Sequence, residues 1–234
     1  MPYSQPSIEL LGIRIDEPVT VLTDLLITAA CVFAFYRLHR LPVKGKLPAF
    51  FKYFFLTMGI ACAVGGIIGH GFLYLFSFAW KVPGWIISMV SIALIERAAI
   101  FYARPLTGER LGRIFGRVNI IELVAFMIIS LVTLNFFYVQ AHAGYGLVVV
   151  VTSFCAYVYY HTRDAGSAWM LGGVGVSAIA SLVYMNQWGI GPWFNHFDIS
   201  HVFMAMATLL MYRGAHLMLM QPYTHPKEMA LVYE

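Results

Sequence analysis

The chain has 234 residues; 60% are apolar and only 11% are Asp, Glu, Lys or Arg. Its mean hydropathy is +0.75, whereas soluble domains carry roughly 25% charged residues. So few charges cannot cover so much apolar surface in water, which excludes a disordered chain, a nucleic-acid-binding module and nearly every soluble enzyme. Membrane lipids are therefore the expected surroundings and partner. The net charge of +4 bears on orientation in the bilayer rather than on acidic partners.

Crossing a bilayer takes roughly 20 apolar residues. Seven segments qualify, at 18–38, 49–78, 84–103, 118–139, 144–161, 168–185 and 196–219. The expected fold class is all-α: one seven-transmembrane helix bundle over residues 1–234, with short connections between antiparallel neighbours. The lead MPYSQPSIELLGIRIDEP has no basic stretch followed by an apolar one, so no cleavable signal peptide is expected.

Asp16 and Glu17 before Pro18 read as an ordinary helix start, and the first span holds Asp24. Arg37, Arg40, Lys44, Lys46 and Lys52 follow it. The second span ends in GGIIGHGF, with His70 beside Gly65, Gly66, Gly69 and Gly71, small residues that let helices approach closely. Glu96 and Arg97 in the third span read as a local charge pair reaching a neighbouring helix, and Arg104, Arg110, Arg113 and Arg117 read as the loop after it. Glu122 is placed near the cytoplasmic end of the fourth span, and His142 at the rim of an outer loop QAHAGYG. Arg163 follows the fifth span. The sixth is rich in small residues, Gly172, Gly173 and Gly175 among them. The seventh opens on NHFDISH, with His196 at its mouth, Asp198 and His201 inside, and Arg213 and Lys227 beyond. His39, His161 and His225 read as loop or tail residues.

Against these basic residues, the opposite loops hold only Lys81 and the lead only Arg14. The excess of positive charge inside predicts an external amino terminus and a cytoplasmic carboxy terminus. Trp80, Trp85, Trp188 and Trp193 then fall at the outer ends of spans, as an aromatic belt. Cys31, Cys62 and Cys155 lie in apolar runs without CxxC spacing and read as core-filling thiols.

Ionisable groups inside a bilayer are costly, and each is a functional hypothesis. Asp24 lies roughly 9 Å into the first span, His70 roughly 12 Å below the outer end of the second, and His201 roughly 9 Å into the seventh, with Asp198 a turn above it. These four groups from three spans share one level near the outer face; Glu96 and Glu122 fall deeper, outside the set. Asp198 and His201, spaced i, i+3, share a helix face. With His70, and with His196 as a substitute, they are candidate ligands for a divalent metal such as Zn²⁺, for which three protein ligands and an open position form the catalytic pattern. Water on such a metal has a pKa near 7 and attacks esters or amides. Asp24 is the candidate catalytic residue, as general base or as hydrogen-bond partner of a ligating histidine. The plainer alternatives are that Asn195 or Asp198 caps the seventh helix, and that Asp24 pairs with His70 or His201 for structure alone.

The histidine within GGIIGHGF and the DISHV opening of the seventh span resemble the CREST superfamily, which includes alkaline ceramidases, progestin and adipoQ receptors and GPI-anchor remodelling hydrolases. That resemblance implies a membrane-embedded Zn²⁺ held by histidines of the second and seventh helices, cleaving lipid amides or esters. EPVTVLTDLL and WFNHFDISHVFMAMATLLMYRGA more closely resemble an uncharacterised bacterial family of seven-helix proteins, which implies the bacterial inner membrane. His70 matches the second-helix ligand and His201 the second histidine of the HxxxH pair. Gly66 stands where the superfamily has Ser or Glu, Phe197 where it has the first histidine, and Lys81 near the place of an Asp. Three other readings use the same residues: a proton-linked transporter, a haem-b carrier with His70 and His201 as axial ligands, and a binding or assembly protein in which the cluster only sets helix register.

Overall fold

A computed structural model describes residues 5–223; Lys227 and His225 lie outside the described residues. Seven helices are long and apolar enough to cross a membrane: Pro18–His39, Lys46–Gly71, Phe78–Thr107, Glu109–Thr133, Phe137–Thr162, Ala165–Met185 and His196–Met220. They are named below as the first to seventh spans. Large apolar side chains such as Leu22, Ile121, Val132 and Met185 face outward. In water such a surface would aggregate; in lipid it is the solvated surface, and helices satisfy their own backbone polar groups there. The chain is an integral membrane protein.

The lead, where the sequence suggested no element, forms a hairpin. Strand β1 (Ile8–Leu10) pairs antiparallel with β2 (Ile13–Ile15). Leu11 and Gly12 between them both have positive φ, 53° and 77°, as a two-residue turn matching the strand twist requires. The amide of Asp16 then donates to the carbonyl of Gly71 at 3.0 Å, fixing the lead to the end of the second span.

Several span ends differ from the sequence reading. The fourth helix starts at Glu109, immediately after Gly108 (φ 84°), so Arg110, Arg113 and Arg117 lie in its first turns and not in a loop. Long cationic side chains at a helix end reach the interface while their stems stay apolar. The fifth helix starts at Phe137, which turns QAHAG from a loop into helix and buries His142 completely. Glu122 sits mid-span rather than near an end. Trp80, Trp188 and Trp193 are exposed as a belt requires, whereas Trp85 is buried and packs with Met89 and Val139. The three cysteines are buried and free.

Two spans carry π-helical segments, Gly65–Gly71 in the second and Tyr145–Val151 in the fifth. Such wider turns occur often at functional sites. Each adjoins a buried polar cluster described below.

The sixth and seventh spans meet backbone to backbone. A Cβ on Gly214 would stand 2.9 Å from both the Gly166 carbonyl oxygen and the Met170 nitrogen, and one on Gly173 would stand 3.1 Å from the Ala207 oxygen. Gly172 and Gly175, by contrast, face open space. Gly214→Ala is expected to cost about 1–3 kcal/mol because backbone cannot move aside, while Gly172→Ala is neutral or slightly stabilising. Thermal midpoints in detergent test the pair, and equal midpoints would contradict this packing.

Candidate functional site

The first helix begins with an unusual cap. Glu17 occupies the cap position in the left-handed region (φ 45°, ψ 54°) and its side chain caps nothing. A non-glycine residue held there costs on the order of 1–3 kcal/mol. The cap comes instead from Gln5, whose Oε1 accepts from the amides of Val19 (2.8 Å) and Thr20 (3.2 Å). Glu17 is thereby freed to pair with His70, its carboxylate receiving the Nδ1 proton.

The seventh helix is capped by its own sequence. Asn195 Oδ1 accepts from the Phe197 amide at 2.8 Å, and Asp198 Oδ2 accepts from the Asn195 amide at 2.8 Å, a reciprocal capping box. Asp198 is completely buried. Its Oδ1 accepts from the Thr20 hydroxyl (2.9 Å) and its Oδ2 also from Gln5 Nε2 (3.2 Å). The carboxylate thus ties the lead, the first span and the seventh together, and both its oxygens are engaged.

His201 lies one turn deeper. The Thr23 hydroxyl donates to the Thr20 carbonyl at 3.0 Å, so its oxygen is left to accept from His201 Nδ1 at 3.0 Å. That assigns the proton to Nδ1 and leaves a lone pair on Nε2. Nε2 faces Asp24 Oδ1 at 3.7 Å. A lone pair facing a carboxylate calls for a shared proton or a cation between them. Asp24 itself is buried against the second span, where a Cβ on Gly66 would lie 2.7 Å from its own Cβ. Only glycine at 66 leaves Asp24 its place.

His70 and His201 have ring centroids 6.4 Å apart, with Phe197 5.4 Å from His70. His196 turns away, stacking on Phe197 and Tyr184. The structure thus brings Asp24, His70 and His201 to one face of the bundle, sets Asp198 beside them as a cap, and leaves His196 among aromatic rings.

Burial alone would raise the Glu17 carboxyl, but the hydrogen bond from His70, with Lys81 behind it, outweighs burial and holds it below the ordinary carboxylate range. A lowered folded value means the stabilisation is complete above the unfolded carboxyl's pKa and is lost as pH falls through the folded one. The difference in thermal midpoint between wild type and Glu17→Gln is therefore expected to be constant at neutral pH and to shrink in acid. A difference independent of pH would count against the pairing.

A second polar cluster joins the third, fourth and fifth spans. Glu96, Glu122 and His142 each offer an atom within 4.8 Å of the other two, and among the described residues this is the group of His, Cys, Asp and Glu so arranged. The expected Glu96–Arg97 charge pair with a neighbouring helix takes a less direct form. Arg97 donates to Asn119 Oδ1 (2.9 Å) and to the Gly116 carbonyl, and Asn119 Nδ2 donates to Glu96 Oε2 (3.1 Å).

Sequence reasoning passed over Glu17, Gln5 and Thr23, and did not join His142 to Glu96 and Glu122. The N-x-x-D spacing of the seventh cap was legible, whereas a glutamine capping a helix from 14 residues away has no local signature.

Fold and site together define a seven-helix integral membrane protein with a polar histidine–carboxylate cluster at the amino-terminal end of the bundle. A family model described as "Family of unknown function (DUF6962)" matches residues 19–220, and the chain belongs to that family. No curated protein and no solved structure matches it.

Proposed function

We propose that the chain is a membrane-embedded, zinc-dependent hydrolase of lipid amides or esters, distantly akin to the CREST superfamily, working at the outer leaflet of a bacterial inner membrane with its amino terminus outside. The observation that carries this reading is the matched setting of two imidazoles on different spans. His70 Nδ1 is held by Glu17 and His201 Nδ1 by Thr23, so each ring presents Nε2. A histidine oriented through its other nitrogen by a carboxylate or hydroxyl is the usual build of a metal ligand.

The donor set suits zinc, with His70, His201 and Asp24 as the residues that would hold it. Asp24 thereby stands in for the imidazole that Phe197 cannot supply, and fills the room left by Gly66. Bound zinc supplies Lewis acidity and brings water's pKa near 7. Asp24 Oδ1 faces His201, and Oδ2, set against Gly66, is the oxygen free to take a proton. Glu17 keeps the His70 proton on Nδ1, and Thr23 does the same for His201. Asp198 serves as the cap that fixes His201 one turn below it, and His196 as a ring packed beside Phe197. Partial exposure of the His70 and Glu17 side chains leaves the cluster reachable from the membrane surface. Basic residues gathered at the opposite end of the bundle support the orientation.

The test is hydrolysis of a panel of lipid amides and esters by purified protein, before and after chelation. Activity lost on chelation and restored by Zn²⁺ supports the reading. Bound zinc at His70 and His201 with no hydrolysis of any panel member would favour a binding protein that uses the same cluster.

A further inference from the structure

We propose that Glu96, Glu122 and His142 form a second divalent-cation site, tying the fourth span to the third and fifth. It is independent of the hydrolase reading, because it shares no residue with the first cluster.

Polar atoms are left without partners where the third, fourth and fifth spans meet. Glu96 Oε1, both oxygens of Glu122 and both ring nitrogens of His142 are buried and make no hydrogen bond. His142 Nε2 stands 3.3 Å from Glu122 Oε1 without the alignment of a hydrogen bond. Buried polar groups are nearly always satisfied, and leaving one unsatisfied costs about 1–3 kcal/mol. Five such atoms in one cluster are more than packing tolerates, and one from each residue lies within 4.8 Å of the other two. Among the described residues no lysine or arginine pairs with them: Arg97, next to Glu96 in the chain, is spent on Asn119 and the Gly116 carbonyl.

The surroundings are built for an ion. Asn119 fixes Glu96 through Oε2 and leaves Oε1 turned to the cluster, the kind of supporting contact that orients a ligand. Gly146 makes the space, since any Cβ there would collide with the Glu96 carboxylate and Ile92. A cavity of about 10 Å³ lies beside them, lined by Glu96, Asn119, Glu122 and Tyr145 among others, enough for a single water or ion. The π-helical turn Tyr145–Val151 begins one turn after His142. One imidazole and two carboxylates suit Zn²⁺ or Mn²⁺.

The fourth span supplies a reason for such a tie. Only 11% of its apolar window is buried in the bundle, against 67% for the third. Between helices in lipid there is no hydrophobic drive to hold a peripheral span, so polar links carry more of the association.

The experiment uses full-length protein in detergent, stripped of metal and carrying His70→Ala and His201→Ala, which removes the first cluster. Titration with Co²⁺, read by its visible absorption and by elemental analysis, is expected to load about one ion per chain. Adding Glu122→Gln, a near-isosteric change, is expected to abolish that binding. Adding Asn119→Ala instead weakens it about 10–100-fold. Co²⁺ should also raise the thermal midpoint of the stripped protein but not of the Glu122→Gln variant. Failure to bind Co²⁺, or equal binding with and without Glu122→Gln, would overturn the proposal and leave a carboxyl pair that shares a proton.

Discussion

Asp198→Ala is expected to destabilise the protein by about 3–5 kcal/mol, because it leaves three buried donors without their acceptor. The loss has three parts. The Thr20 hydroxyl, the Gln5 amide and the Asn195 backbone amide each lose their acceptor in a buried place. Hydrogen bonds to a charged group are worth about 1.5–3 kcal/mol each, and their loss is not additive. The substitution also weakens the hold of the lead on the seventh span, leaving Gln5 only its bond to the Trp193 carbonyl at that end. Asn195→Ala, which removes one side-chain cap and no charge, should cost only about 1 kcal/mol. Thermal unfolding of the two variants in one detergent distinguishes a network from a simple cap. Equal losses would mean that Asp198 does no more than cap its helix.

If the proposed function holds, His201→Ala abolishes zinc binding at the first cluster, and hydrolysis with it, while leaving the fold intact. His201 belongs to the same helix as Asp198 but contacts Thr23 and Asp24 rather than the cap. Thr23→Val keeps shape and removes the hydroxyl that orients the ring. Loss of such an orienting partner typically costs about 10–100-fold in metal affinity or activity. A Thr23→Val protein with unchanged zinc affinity would show that the His201 ring is oriented by packing alone.

The spans were legible because a bilayer imposes a minimum apolar length, which the sequence meets seven times. Their ends were not. Charged residues in the first turns of the fourth helix look like a loop, since hydropathy cannot tell a snorkelling arginine from a solvated one. QAHAGYG looked like a connection because its glycines and polar residues are turn formers, yet in the fold it is helical, His142 and Gly146 are buried, and Gly146 makes room for Glu96. Depth counting put Asp24, His70, Asp198 and His201 at one level, and in the fold His201 lies beside both Asp24 and His70. It gave Asp198 to the same cluster without separating its two oxygens, which only the contacts with Gln5 and Thr20 reveal. Glu17 read as an ordinary first-turn acid. Its left-handed backbone, which swings it onto His70, depends on the Gly71–Asp16 tether, a contact 55 residues apart that leaves no mark in the local sequence.

The most direct test of the central claim is elemental analysis of chelator-free protein, comparing wild type with the His70→Ala, His201→Ala double variant. With the second site also filled, about two metal ions per chain are expected in wild type and about one in the double variant. Equal metal content in the two, in protein shown to be folded, would contradict a metal at His70 and His201, and with it the hydrolase reading.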